Sequence, residues 1–132
     1  MTKRVVIPSE LGAARRVERT VLDEVARRGY AESCRFAIRL ALEEALNNAI
    51  NHGNRRDPSN KVTVSYDIND QYVALTVGDE GVGFNPSDVP DPTVDENLEK
   101  PCGRGIMLMR AYMDEVRFSN KGTRVHMVKH NR

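Results

Sequence analysis

Three asparagines fall within five positions of one helical stretch, Glu43-Glu44-Ala45-Leu46-Asn47-Asn48-Ala49-Ile50-Asn51-His52. Asparagine is a poor helix former because its amide competes for backbone hydrogen bonds, so this density calls for a reason, either solvation of a helix back or a site. At about 100° per residue, Glu44, Asn48 and His52 stack one turn apart with Asn51 close beside, a polar ridge next to an apolar stripe. A second candidate is Asp79. Alternation along Val73-Ala74-Leu75-Thr76-Val77-Gly78-Asp79 puts its carboxylate on the side of Val73, Leu75 and Val77. An inward carboxylate needs a hydrogen-bond donor, and a bound ligand can supply one. Gly81 and Gly83 follow at once and allow close backbone approach. Gly103-Arg104-Gly105 opens a later helix, where free backbone N–H groups suit phosphate. In Asn120-Lys121-Gly122-Thr123, a turn, the Thr123 hydroxyl shares the face of Val125 and Met127 and lies inside if Val125 is buried.

These residues must be held by the elements around them. Val5-Val6-Ile7 reads as a short strand stopped by Pro8, and Ser9 offers an N-cap oxygen to an amphipathic helix carrying Leu11, Ala14, Val17, Val21, Leu22 and Val25. Gly29 ends that helix. The asparagine-bearing helix runs from about 31 to 52 on a stripe of Ile38, Ala41, Leu42, Ala45, Leu46, Ala49 and Ile50, with Gly53 as its stop. Two strands alternate through Val62–Ile68 and Val73–Val77 around a turn at Asn69-Asp70-Gln71. Residues 83–103 hold four prolines, five acids and few large apolar side chains, a composition expected of a lid. A short helix at Ile106–Met113 and strands at 116–119 and 123–128 complete the chain. This order predicts one domain, residues 1–132, with the α+β fold of a two-layer sandwich: a mixed, mainly antiparallel sheet with helices on one face.

Composition narrows the function. The 132 residues hold 20 Lys+Arg against 19 Asp+Glu, a net charge of +1, so no global field draws the protein to nucleic acid or an anionic membrane. No apolar run approaches the length of a membrane span or a signal core, and a cytoplasmic protein is expected. Cys34 and Cys102 lack partners at zinc spacing. The P-loop and the dinucleotide-binding glycine motif are both absent, and the Asp79 loop lacks the further acids of a calcium hand.

Taken in order, Glu-x-x-x-Asn on a helix, Asp-x-Gly-x-Gly after a strand, Gly-x-Gly opening a helix after a lid, and Lys-Gly-Thr before a strand resemble the GHKL or Bergerat-fold ATPase superfamily. The similarity is greatest to its anti-sigma-factor serine/threonine kinases and spans nearly the whole chain, with Glu44–Gly53 its most specific part. The resemblance implies ATP and Mg²⁺ as cofactors and a lid over about 84–102. It implies Asn48 as the Mg²⁺ ligand, Glu44 as the general base, and Asp79 as acceptor of the adenine amino group. Gly81 and Gly83 would line the base pocket, Gly103 and Gly105 would bring donors to the phosphates, and Thr123 would join the network near adenine. Some relatives carry an Arg shortly before the lid's closing glycines; here Lys100-Pro101-Cys102 stands there, leaving Arg104 and Lys100 as candidates to meet the γ-phosphate. The implied activity is phosphoryl transfer to a Ser or Thr of a STAS-type anti-sigma-factor antagonist, with sequestration of a sigma factor and a homodimeric state. The alternative is an ATP-gated protein-binding module without transfer, but retention of both Glu44 and Asn48 favours the kinase.

Overall fold

The computed structural model describes residues 2–55, 57, 59–81 and 101–131, with the backbone alone at 52, 101–104 and 121. Its elements run β1 (Lys3–Pro8), α1 (Leu11–Arg27), α2 (Glu32–Asn48), a π-helical turn (Ala49–Gly53), β2 (Lys61–Ile68), β3 (Tyr72–Gly78), α3 (Pro101–Tyr112), β4 (Glu115–Ser119) and β5 (Arg124–His130). The strands form one sheet in the order β1-β2-β3-β5-β4. Every pairing described is antiparallel, which specifies the expected mixed, mainly antiparallel sheet.

Period-two patterning sorts the two faces. Val64, Val77 and Val125 pair in register with Phe118 at the end of the row, and one residue along Ser65, Thr76, His126 and Arg117 form the neighbouring row. The first row joins the core and the second stays outside it, where Thr76 Oγ1 lies 2.9 Å from His126 Nδ1. On the covered face α1 buries Ala13, Ala14, Val17, Val21 and Val25, and α3 buries Ile106 and Met109, with Met113 just past its end. Between them α2 contacts both helices and buries Ile38, Leu42 and Leu46 with Ala37, Ala41 and Ala45. Small side chains at this spacing let neighbouring backbones come near, which matters for the site below.

Three local readings differ from expectation. Ser9 is not the helix cap: α1 starts at Leu11 behind Glu10, and the buried Ser9 hydroxyl instead donates to the Asn60 carbonyl at 2.8 Å. The second helix is α-helical only to Asn48 and then widens into the π turn, with the Asn54 N–H bonded to the Ala49 carbonyl at 2.8 Å. The C-terminal glycine-bearing helix begins at Pro101, so the end of the expected lid, 101–102, lies in α3, while residues 84–100 lie outside the described residues. The hairpin turn at Asn69 stands as read, because Asn69 Oδ1 accepts from the N–H groups of Gln71 and Tyr72. Among the described residues no helix is long and apolar enough to cross a membrane.

Candidate functional site

Glu44 and Asn48 sit one turn apart on α2, half-buried, on the side met by α3. Gly105 of α3 is buried directly against them: a Cβ there would stand 2.9 Å from Glu44 Oε2 and 3.0 Å from Asn48 Nδ2. Without a side chain at this position the α3 backbone comes close to the two polar groups as they stand. The glycine pair was expected to open this helix; with α3 starting at Pro101, Gly105 lies one turn in, and it is there that α3 meets Glu44 and Asn48.

Five residues beyond Asn48, the π turn delivers Gly53 to the end of β3. A Cβ on Gly53 would fall 2.3 Å from Asp79 Cγ, and one on Gly81 would fall 2.0 Å from the Gly53 carbonyl oxygen. Asp79, Gly81 and Gly53 thus form a single close junction. The Asp79 N–H donates to the Thr123 carbonyl at 2.8 Å, and Asp79 Oδ1 accepts from the Gly81 N–H at 2.8 Å. Burial pushes the Asp79 carboxyl above the usual carboxylate range, and the Gly81 N–H offsets part of that rise. A carboxylate held at a cost in a partly dry place is a candidate for a functional site.

The other expected residues divide. Thr123 lies just ahead of β5, its hydroxyl donates to the Asn120 carbonyl at 2.8 Å, and its link to the Asp79 loop runs through its own carbonyl. It also lines a groove of about 330 Å³ at the edge of the open sheet face together with Asp79, Arg4, Lys61 and Arg124. Asn51 departs from the ridge as well, lining a crevice between α1 and α2 with Asn47, Glu43 and Glu18. Glu43, Asn47 and Asn51 follow one another at four-residue spacing, so they share this side of the helix. In that crevice burial and the neighbouring Glu43 raise the Glu18 carboxyl, against the pull of Arg39 and Arg15. Gly103 falls in the first turn of α3, as does Arg104, whose side chain lies outside the described residues, and Gly83 and Lys100 lie wholly outside them.

Two participants escaped the sequence reading. Gly53 was legible only as a helix stop, although its place straight after His52 was a usable signal. Asn54, in a segment that reads as loop, is 2% exposed and carries three side-chain hydrogen bonds.

A two-layer α+β domain that brings a Glu/Asn helix, an inward aspartate and a glycine-bearing helix start together has the outline of an ATP-binding kinase-like domain. Comparison with known proteins agrees. The histidine kinase-like ATPase domain profile matches residues 7–129. The anti-sigma F factor of Geobacillus thermodenitrificans is 42% identical over 99 residues, covering 70% of this chain and 67% of that protein. The serine-protein kinase RsbW of Oceanobacillus iheyensis is 27% identical over 122 residues, covering 86% of this chain and 77% of that protein. Among solved structures, the RsbU and RsbW domains of a Mycobacterium tuberculosis protein share the fold with a TM-score of 0.66 at 19% identity, over 100% of this chain and 32% of that one. The chain belongs to the histidine kinase-like (GHKL) ATPase family, in its anti-sigma-factor kinase branch.

Proposed function

We propose that the protein is an anti-sigma regulatory kinase that transfers the γ-phosphoryl group of ATP to a Ser or Thr hydroxyl of a STAS-type antagonist and, by binding a sigma factor, withholds it from transcription. The single domain works as a homodimer in the cytoplasm. The observation that carries the reading is the pair of junctions at either end of Glu44–Gly53. One gathers a carboxylate and an amide beside the start of α3, and the other holds a desolvated carboxylate at the rim of the sheet.

Asp79 receives the adenine amino group, with Gly81 and Gly83 against the base. The first turn of α3, at Gly103, offers backbone donors to the phosphates, and Gly105, fifth in the helix with its N–H committed to the helical ladder, serves instead by letting α3 come close to Glu44 and Asn48; Arg104 or Lys100 meets the γ-phosphate. Asn48 presents a hard amide oxygen one turn from Glu44, which fits Mg²⁺, an ion that takes one or two protein oxygens and completes its shell with phosphate and water. Asn48 would hold the ion, which when bound neutralises phosphate charge. Glu44 orients the incoming hydroxyl and accepts its proton as the Ser or Thr oxygen bonds to the γ-phosphorus and the bond to the β,γ-bridging oxygen breaks, releasing ADP.

Incubation with labelled Mg·ATP and a STAS-domain antagonist checks this. Label should move to a Ser or Thr of the antagonist, and Asp79→Asn should weaken ATP binding about tenfold, near 1.4 kcal/mol. ATP binding with no labelled protein product would reject the kinase in favour of a nucleotide-gated binding module.

A further inference from the structure

Ser9 and Asn54 are the buried polar residues among those described, and they are bonded to each other. Asn54 Nδ2 donates to Ser9 Oγ at 2.8 Å and to the Lys61 carbonyl at 3.0 Å, while Asn54 Oδ1 accepts from the Glu80 N–H at 2.8 Å. Ser9 passes the chain on to the Asn60 carbonyl. The Asn54 N–H closes the π turn on Ala49, so one residue ties the end of the Glu44/Asn48 helix to the peptide that follows Asp79. From the other side, the Lys61 N–H donates to Glu80 Oε1. Both donors and the carbonyl oxygen of the Asn54 amide are used, in a place where an unmade bond would leave a dry polar group.

We propose that Asn54 is a positioning residue for base recognition: it fixes the Asp79-Glu80-Gly81 segment so that the Asp79 carboxylate stands where a purine amino group can reach it. The inference rests on the reading of Asp79 as the adenine acceptor. Asp79 is held through its own N–H by Thr123 and through the next peptide by Asn54. Gly53, adjacent to Asn54, packs on the same carboxylate. An apolar side chain could fill the volume, but only an amide supplies two donors and an acceptor to β2, the Ser9 turn and the Glu80 peptide together. A site that selects by hydrogen bonding discriminates only as well as its groups are placed.

The test is a double-mutant cycle on ATP and GTP affinity, with steady-state kinetics alongside. Asn54→Ala should raise the KM for ATP about tenfold, with kcat at saturation falling less than about twofold, and should erode the preference for ATP over GTP by about the same tenfold. In the Asp79→Asn background the same change should cost less than about twofold, because the group it positions is already altered. Ser9→Ala, which removes only the far partner, should move both quantities in the same direction by about two- to threefold, and it carries the test if Asn54→Ala does not fold. A folded Asn54→Ala protein with unchanged ATP preference, or full additivity with Asp79→Asn, overturns the proposal alone. A wild-type protein that does not prefer ATP to GTP overturns the adenine reading, and this inference with it.

Discussion

Glu44 and Asn48 stand on a regular α-helix whose opposite side is anchored by Ile38, Leu42 and Leu46, all at most 1% exposed. Asp79 stands one residue past the end of β3, in a segment with no ladder of its own, held by single hydrogen bonds to Thr123, Gly81 and, through Glu80, Asn54. Each end relies on a glycine for close approach, but what the glycine meets differs. Gly105 meets the tips of two side chains, whereas Gly81 meets the backbone carbonyl of Gly53. The first end can give by a rotamer change and the second cannot, so the proposed function would mount chemistry on the part with local slack and recognition on the part without it.

Removing the carboxylate from the helix end separates the two roles most widely. Glu44→Ala should lower phosphoryl transfer by about 10²–10⁴-fold, the usual range for a lost general base, while ATP affinity stays within about threefold. Single-turnover transfer and calorimetric titration on the same preparation read both. Equal turnover in the variant would remove Glu44 from the mechanism, and a parallel loss of affinity would merge the two ends into one functional unit.

Glycine substitutions probe the slack directly. Gly81→Ala drives a methyl group into the Gly53 carbonyl, and backbone must move, so a destabilisation of about 2–3 kcal/mol is expected together with loss of ATP binding. Gly105→Ala meets Glu44 Oε2 and Asn48 Nδ2, which can swing aside, so the expected cost is about 1 kcal/mol, with transfer reduced more than binding. Chemical denaturation of both variants gives the two values. A Gly105→Ala protein less stable than Gly81→Ala would reverse the assignment of rigid and yielding ends.

Much of this was legible from residue order. The strand faces follow from alternation, and the inward Asp79 follows from counting two residues beyond Val77. Glu44 and Asn48 announced themselves because asparagine is costly in a helix and recurs there. Ser9 was misread because a hydroxyl ahead of an apolar helix suits a cap equally well, and only the tertiary placement of Asn54 and Asn60 shows which partner wins. Asn51 was grouped with Asn48, three residues before it, although four-residue spacing from Glu43 and Asn47 points it also to the α1 crevice. Asn54 gave no signal at all: its partners Ser9, Lys61 and Glu80 are 45, 7 and 26 residues away, and an asparagine between Gly53 and Arg55 looks like any loop residue.

The smallest effect should appear in the free protein, where the Asp79 end carries a cost of its own. A carboxyl whose pKa is raised on folding binds its proton more tightly in the native state, so ionising it subtracts from native stability. Burial raises the Asp79 pKa, and this cost is absent below the ordinary carboxylate range and grows as pH rises through that range to the elevated native value. Asp79→Asn removes the charge but keeps an oxygen that can accept from the Gly81 N–H. Without nucleotide, the variant should therefore melt slightly above the wild type at pH 7, and the difference should shrink toward zero as pH falls into the ordinary carboxylate range. Calorimetric Tm values across that interval decide the matter. A difference of opposite sign, or one that does not change with pH, would mean that the Asp79 carboxylate is already well satisfied by the protein, leaving a ligand's donor nothing to relieve.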